Sequence, residues 1–486
     1  MDSPPSQLTV LTLIFALLPV LYLTLRRRAR GGKNRSYPPV PYLPHAHPTC
    51  SYIYTVEPAN VEYILKTNFA NYGKGVMTHD VLEDLLGDGI FNVDGAKWRH
   101  QRKAASHEFS TRVLRDNSSG VFRDTAAELA GIVAAAAAAT GEKLDMQDLL
   151  MRSTLDSIFK VGFGVSLGVL SGCSDEGAAA FARAFDDANE QVLYRFFDLS
   201  WKLKRLLNIS SEAAMKRSIR TIDGFVYGVI DRKIEQMGTD QQEFAKKEDI
   251  LSRFLLERES DPGCFDNKYL RDIILNFMVA GRDTTAGTLS WFLYVLCGNQ
   301  DIQDRIAEEV RAATSGDGDL GAPELVACLT DDAVSKMHYL HAALTETLRL
   351  YPAVPIDVKY CFSDDTLPDG YAVNKGDMRR LYYQPYPMGR MKFLWGADAE
   401  EFRAERWLDD AGVFVPESPF KFTAFQAGPR VCLGKEFAYR QMKIFAAVLL
   451  YLFRFEMWDA NATVGYRAML TLKMDGPLYV RASLRR

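Results

Sequence analysis

Uncharged, mostly apolar residues run unbroken from Leu8 to Leu25, and the basic cluster Arg26, Arg27, Arg28 and Arg30 follows at once. As a helix rising about 1.5 Å per residue the run reaches about 27 Å, roughly one hydrocarbon core. Residues 1–30 are therefore expected to form a membrane anchor and its basic stop. The positive charge lies C-terminal to the span, which is the wrong side for a cleaved leader and directs the rest of the chain to the cytosol. A single-pass anchor in the endoplasmic reticulum fits this pattern. Pro38, Pro39, Pro41, Pro44 and Pro48 then make residues 31–51 a stiff hinge. The β-branched and aromatic run Tyr52–Val56 reads as a strand, and Pro58 opens a helix through Lys66.

From Trp98 to about Leu350 apolar residues recur at spacings of three and four, the helical period. The run Ala134–Ala139 is simply helix-favouring, with Gly141 ending it. Stretches near 171–176 and 314–322, rich in Gly, Asp and Ser, read as loops. A helix from about Tyr269 to Leu296 is apolar on most faces and should be buried. Beyond Tyr351 the pattern shortens to strands, Pro and Gly, and helix returns over Lys435–Leu452. The expected fold class is mainly α with small β-sheets (α+β), with residues 52–486 as one large domain.

The 486 residues carry a net charge of -4, without the basic excess a nucleic-acid partner calls for. Seven cysteines at wide spacings, with no CxxC, argue against a disulfide framework or zinc site and suit a reducing compartment. No GxGxxG or P-loop follows a strand, so the chain shows no nucleotide site of its own.

One cysteine stands apart. Cys432 closes the stretch Phe425-Gln426-Ala427-Gly428-Pro429-Arg430-Val431-Cys432-Leu433-Gly434, just before a helix. A helix N-terminus and the charge of Arg430 favour a thiolate, and Gly428 and Gly434 would let the backbone approach a flat group closely. Cys173, Cys264, Cys297, Cys328 and Cys361 read as small buried hydrophobes. In the long helix, Ala280-Gly281-Arg282-Asp283-Thr284-Thr285 puts poor helix formers in a buried element, which points to a functional site. Glu346 and Arg349, three apart on one helix face, can pair.

The pattern F-x-x-G-x-R-x-C-x-G resembles the haem-binding signature of the cytochrome P-450 superfamily. The resemblance implies heme b (iron protoporphyrin IX) held by the Cys432 thiolate, which donates electron density to the metal. Phe425, Gly428, Arg430 and Gly434 would complete the cofactor loop, with Arg430 on a propionate. Trp98 and Arg102 match W-x-x-x-R and are implied to contact propionates too. Glu346, Arg349 and Arg406 are implied to form a structural network, although Ala404 replaces the usual proline before Glu405-Arg406-Trp407. The segment Ala280–Thr285 matches [AG]-G-x-[DE]-T-[TS], which implies a local widening of the helix, with Asp283 and Thr284 catalytic in oxygen handling and proton delivery.

A narrower similarity, to plant long-chain fatty-acid ω-hydroxylases, rests on Asn71–Gly75, Leu86–Phe91, Gln101–Lys103, Ser106–Ser110 and Tyr386–Met391. It implies a monooxygenase using O2, a long-chain fatty acid and electrons from an NADPH-dependent flavoprotein reductase. A haem-thiolate isomerase or dehydratase, or a non-catalytic or poorly folding haem protein, are the alternatives; the Asp283–Thr284 pair weighs against the first. Two departures stand out. The segment between Pro39 and Tyr52 is shortened, so the strand at Tyr52 should lose a hairpin partner and expose an edge. Arg379 and Arg380 also fall where the family has an apolar strand.

Overall fold

The computed structural model describes residues 51–485 apart from 111, 140–141, 174–175, 240–248, 261–264, 315–319 and 376–378. The expected anchor and nearly all of the hinge lie outside the described residues, among which no helix is long and apolar enough to cross a membrane.

The helical period read from the sequence becomes a layered bundle. Its longer members are Gly75–Leu86, Gly95–Ser110, Arg112–Ala138, Met146–Phe163, Glu176–Arg195, Ser210–Thr239, Gln300–Ala313, His338–Leu350 and Lys435–Leu452. The last has the bounds expected from its pattern. Met146–Phe163 shows how such an element is delimited. Asp145 caps it by accepting from the Asp148 N–H, and Gly164, at φ 63°, closes it in the left-handed conformation. Beside it runs the most buried element, Asn267–Met278 and Thr284–Cys297 joined by a π-helical segment, Val279–Asp283.

Strands collect at the margins. The largest sheet has four, in the order Ser51–Thr55, Arg379–Tyr383, Asp357–Cys361, Tyr72–Gly73. The first pair is parallel, with Ile53 opposite Leu381, and the others are antiparallel. The strand expected at Tyr52–Val56 thus forms one residue earlier and, among the described residues, stands at the sheet edge with Tyr54 57% exposed. Arg379 and Arg380 do not prevent a strand, because backbone ladders on both sides hold it. A satellite core under this sheet includes Ile53, Val61, Leu65, Tyr72, Tyr383 and Ala427. The helix from Pro58 is shorter than expected: it is α-helical to Glu62 and widens to a π turn over Tyr63–Thr67.

The cysteine reading needs one correction. Cys361 is buried, Cys297 and Cys328 are half-buried, but Cys173 is exposed, since it sits in the loop around 171–176 and not on a helix. Cys264 lies outside the described residues.

Candidate active site

Cys432 follows a short 3-10 turn, Gly428–Arg430, and its N–H donates to the Phe425 carbonyl at 2.8 Å. Gln426 and Gly428 both have positive φ, 57° and 63°. Gly428 is required for a reason other than the one expected. A Cβ there would lie 2.0 Å from the Leu65 carbonyl oxygen, so the glycine lets this loop pack on the π turn Tyr63–Thr67. At Gly434 a Cβ would meet only the Cys432 sulfur at 3.9 Å and Phe109 at 4.0 Å. The Phe425 ring packs on Tyr439, with centroids 5.2 Å apart.

The Cys432 side chain is accessible, yet protein surrounds it and burial pushes its thiol pKa up. An accessible sulfur set among protein atoms is one that a bound group could cover. The Gly434 N–H, Arg102 and Lys435 pull the other way. The expectation that Arg430 activates the thiol is corrected: Arg430 turns aside, and its Nη2 donates to the Val93 carbonyl at 3.0 Å and to Asp94 at 2.7 Å. Its guanidinium lies 4.5 Å from the centre of the Trp98 ring, and its buried Nε has no partner. Arg102 is half-buried and makes no ion pair among the described residues, and burial pushes its pKa down. An uncovered sulfur near Arg102, with Arg430 close to Arg102 and N–H groups to spare on these side chains, fits a flat, metal-bearing group that carries carboxylates, as haem does.

The long helix reaches the cysteine loop through Phe109, which lies by Gly434 and packs on Phe277 with ring centroids 5.7 Å apart. From Leu270 to Leu293 every residue is buried except Ala280, Gly281 and Thr284, which share one face. The π segment frees the Ala280 carbonyl, which accepts from the Thr284 hydroxyl at 2.5 Å. Gly281 leaves room for Ile158, whose Cδ1 would lie 2.7 Å from a Cβ there. The helix therefore widens at the expected place. Asp283 faces away from solvent, 3% exposed. It accepts from Asn189 Nδ2 at 2.8 Å and Arg282 Nη1 at 3.1 Å. Burial pushes its carboxyl pKa up to about 6, against the pull of Arg282. Arg282 also pairs with Asp186 at 2.5 Å, and Asp186 with Lys473 at 3.2 Å.

Glu346, Arg349 and Arg406 meet in a clamp between helix and loop. Arg349 bonds Glu346 twice at 2.7 Å, Arg406 approaches Glu346 at 3.4 Å, and Trp407 Nε1 donates to Glu346 at 2.9 Å. Arg349 also donates to the carbonyls of Gly389, Ala399 and Glu401. Glu405 points outward to Arg305.

Sequence reasoning missed Asp94 and Asn189. Asp94 lies four positions before Trp98, where an acid ahead of a helix was a usable signal. Asn189 had none, for its partner Asp283 is 94 positions away.

A family model described as cytochrome P450 matches residues 35–466. Cytochrome P450 704C1 of Pinus taeda is 54% identical over 440 residues, covering 88% of this chain and 84% of that protein. Cytochrome P450 704B1 of Arabidopsis thaliana is 46% identical over 466 residues, 90% of this chain and 87% of that one. Cytochrome P450 94A1 of Vicia sativa is 37% identical over 434 residues, with coverages of 87% and 80%.

Proposed function

Since the chain belongs to the cytochrome P450 family, monooxygenases that use haem with a cysteine thiolate as axial ligand, we propose that it hydroxylates long-chain fatty acids at or near the methyl end. Proteins of this family generally need O2 and a redox partner; for this chain we take that partner to be an NADPH-dependent flavoprotein reductase. The span Leu8–Leu25 would hold the enzyme on the endoplasmic reticulum membrane, with the catalytic domain cytosolic, where such a substrate is dissolved.

The observation that carries the substrate class is the assembly of the ω-hydroxylase-like stretches. Gln101 donates to the Asp88 carbonyl at 2.7 Å, and Phe91 N–H to Asn276 Oδ1 at 3.2 Å. Ile90 and Gln101, from two of these stretches, meet Ala105, Phe254, Ile273 and Phe277 at a small, mainly apolar pocket beside the buried helix, with Asn276 and Tyr269 also on its lining. Two of the stretches thus come together against the buried helix, which supports an apolar substrate.

Cys432 would hold the metal, and Arg430, Arg102 and Trp98 the cofactor's carboxylates. The haem supplies reductive activation of O2. Asp283 would hold a proton on its carboxyl oxygen below about pH 6 and, as the carboxylate, accept one there above it. Thr284, its hydroxyl hydrogen engaged by the Ala280 carbonyl, would offer its oxygen as an acceptor to water or substrate.

Reconstitution with an NADPH-dependent reductase and fatty acids of graded chain length tests the reading. Hydroxylated product at the terminal or adjacent carbon, dependent on NADPH and O2 and abolished in Cys432→Ala, is expected. Oxidation confined to mid-chain positions, or turnover of peroxides without reductase, would overturn it.

A further inference from the structure

Behind Arg430 lies a buried charge network that neither the family motifs nor the proposed reaction accounts for. Asp94 is its first node. Besides Arg430, its carboxylate accepts from the backbone N–H of Lys74 at 3.0 and 2.9 Å and of Gly75 at 2.9 Å. The backbone is shaped for this grip. A Cβ at Gly73 would lie 2.6 Å from the Asp94 oxygen, and Gly75 sits at φ 71°. A carboxylate held by successive backbone N–H groups is fixed in direction, so the guanidinium that bonds it is fixed as well.

Lys74 links this node to a second. While its backbone holds Asp94, its Nζ donates to Asp357 at 2.8 Å. Asp357 also accepts from Lys359 Nζ at 2.8 Å and the Tyr383 hydroxyl at 2.9 Å. Lys359 and Tyr383 are 2% and 1% exposed. Around the two carboxylates stand three basic side chains, Lys74, Lys359 and Arg430, and Arg102 lies close to Arg430. The cations are short of partners. The buried Arg430 Nε has no partner, and burial, with Lys74 and Arg430 nearby, pushes the Lys359 pKa down to about 8. Cations outnumber carboxylates here, and heme b would bring two propionates. An unmatched buried charge is costly, so a dianion completing this set gains what the empty set lacks.

We propose that Asp94, tied to Asp357 through Lys74, is a positioning residue that aims Arg430 at the cofactor's carboxylates, so that the seat is one charge-matched network completed when haem binds. Asp94 touches neither cofactor nor substrate; it acts through Arg430. The stretch Asn71–Gly75 then has a role in cofactor retention, separate from substrate choice.

The test is the rate at which haem leaves the purified full-length chain for an excess of apomyoglobin, read together with the ferrous–CO difference spectrum. It needs no substrate, so it stands or falls independently of the fatty-acid reading. D94N should release haem on the order of tenfold faster or more, as loss of an outer-shell partner does, with the CO band of the remaining loaded fraction unmoved. D94E should recover most of the wild-type rate. In the R430Q background D94N should add little, because the two act in series. Additive effects of D94N and R430Q, or a wild-type rate in D94N, would overturn the proposal. If D94N does not accumulate in loaded form, K74M decides instead, since its backbone N–H still reaches Asp94: faster release supports the tie, and wild-type release breaks it.

Discussion

At Asp283 burial and charge pull in opposite directions, and burial wins. Its carboxyl pKa is raised to about 6 although Arg282 lies at 3.1 Å. A carboxyl whose folded pKa exceeds its unfolded value contributes stability at low pH. That contribution is lost as pH rises through the folded value. Asp283→Asn mimics the protonated form at every pH. The variant should therefore melt above the wild type by a wider margin at pH 7.5 than at pH 5, while its product per electron consumed falls and loses the limb near pH 6. A margin that does not change with pH would mean that Asp283 stays charged throughout, and that Asn189 and Arg282 compensate its burial fully.

The helix His338–Leu350 and the loop at Ala404–Trp407 are joined chiefly by Glu346, whose side chain is fully buried, as is that of Arg349. Breaking such a pair by deleting one partner strands a buried guanidinium and costs about 3–5 kcal/mol. Glu346→Ala should lower the urea midpoint of the loaded protein accordingly, and Glu346→Gln by less, since the amide oxygen still accepts from Arg349. A loss in Glu346→Ala below about 1 kcal/mol would show that the Arg349 bonds to three carbonyls suffice. The distortion of the long helix belongs to the same scale. Gly281, Asp283 and Thr284 weaken regular helix, and the π segment Val279–Asp283 is where the chain yields.

For the whole molecule the cofactor is part of the fold. Removing a ligand that binds only the native state lowers the melting temperature by mass action, and here it also strands the cations around Asp94 and Asp357. Stripping the haem should lower the melting temperature. In hydrogen exchange it should speed up Gly95–Ser110 and the residues around Cys432 first, while the clamp at Glu346 keeps its protection. Uniform deprotection across the chain would mean that the seat is not a separate low-stability unit.

The periodicity of the sequence determined the helical body and the bounds of Lys435–Leu452, a β-branched and aromatic run the strand near Tyr52, and the resemblance carried by Ala280–Thr285 the site of the helix distortion. These follow from local sterics and from which face must leave water. The cysteine loop was equally legible, because a short motif is contiguous. Tertiary structure alone decided where the charges point. Arg430 meets Asp94 across 336 positions, and Asn189 meets Asp283 across 94. It also decided which charges face Cys432: burial pushes its thiol pKa up, and Arg102 and Lys435, not Arg430, pull the other way. Local pattern fixes backbone conformation, but desolvation and charge pairing depend on whatever distant segments the fold brings alongside, and no window of sequence contains them.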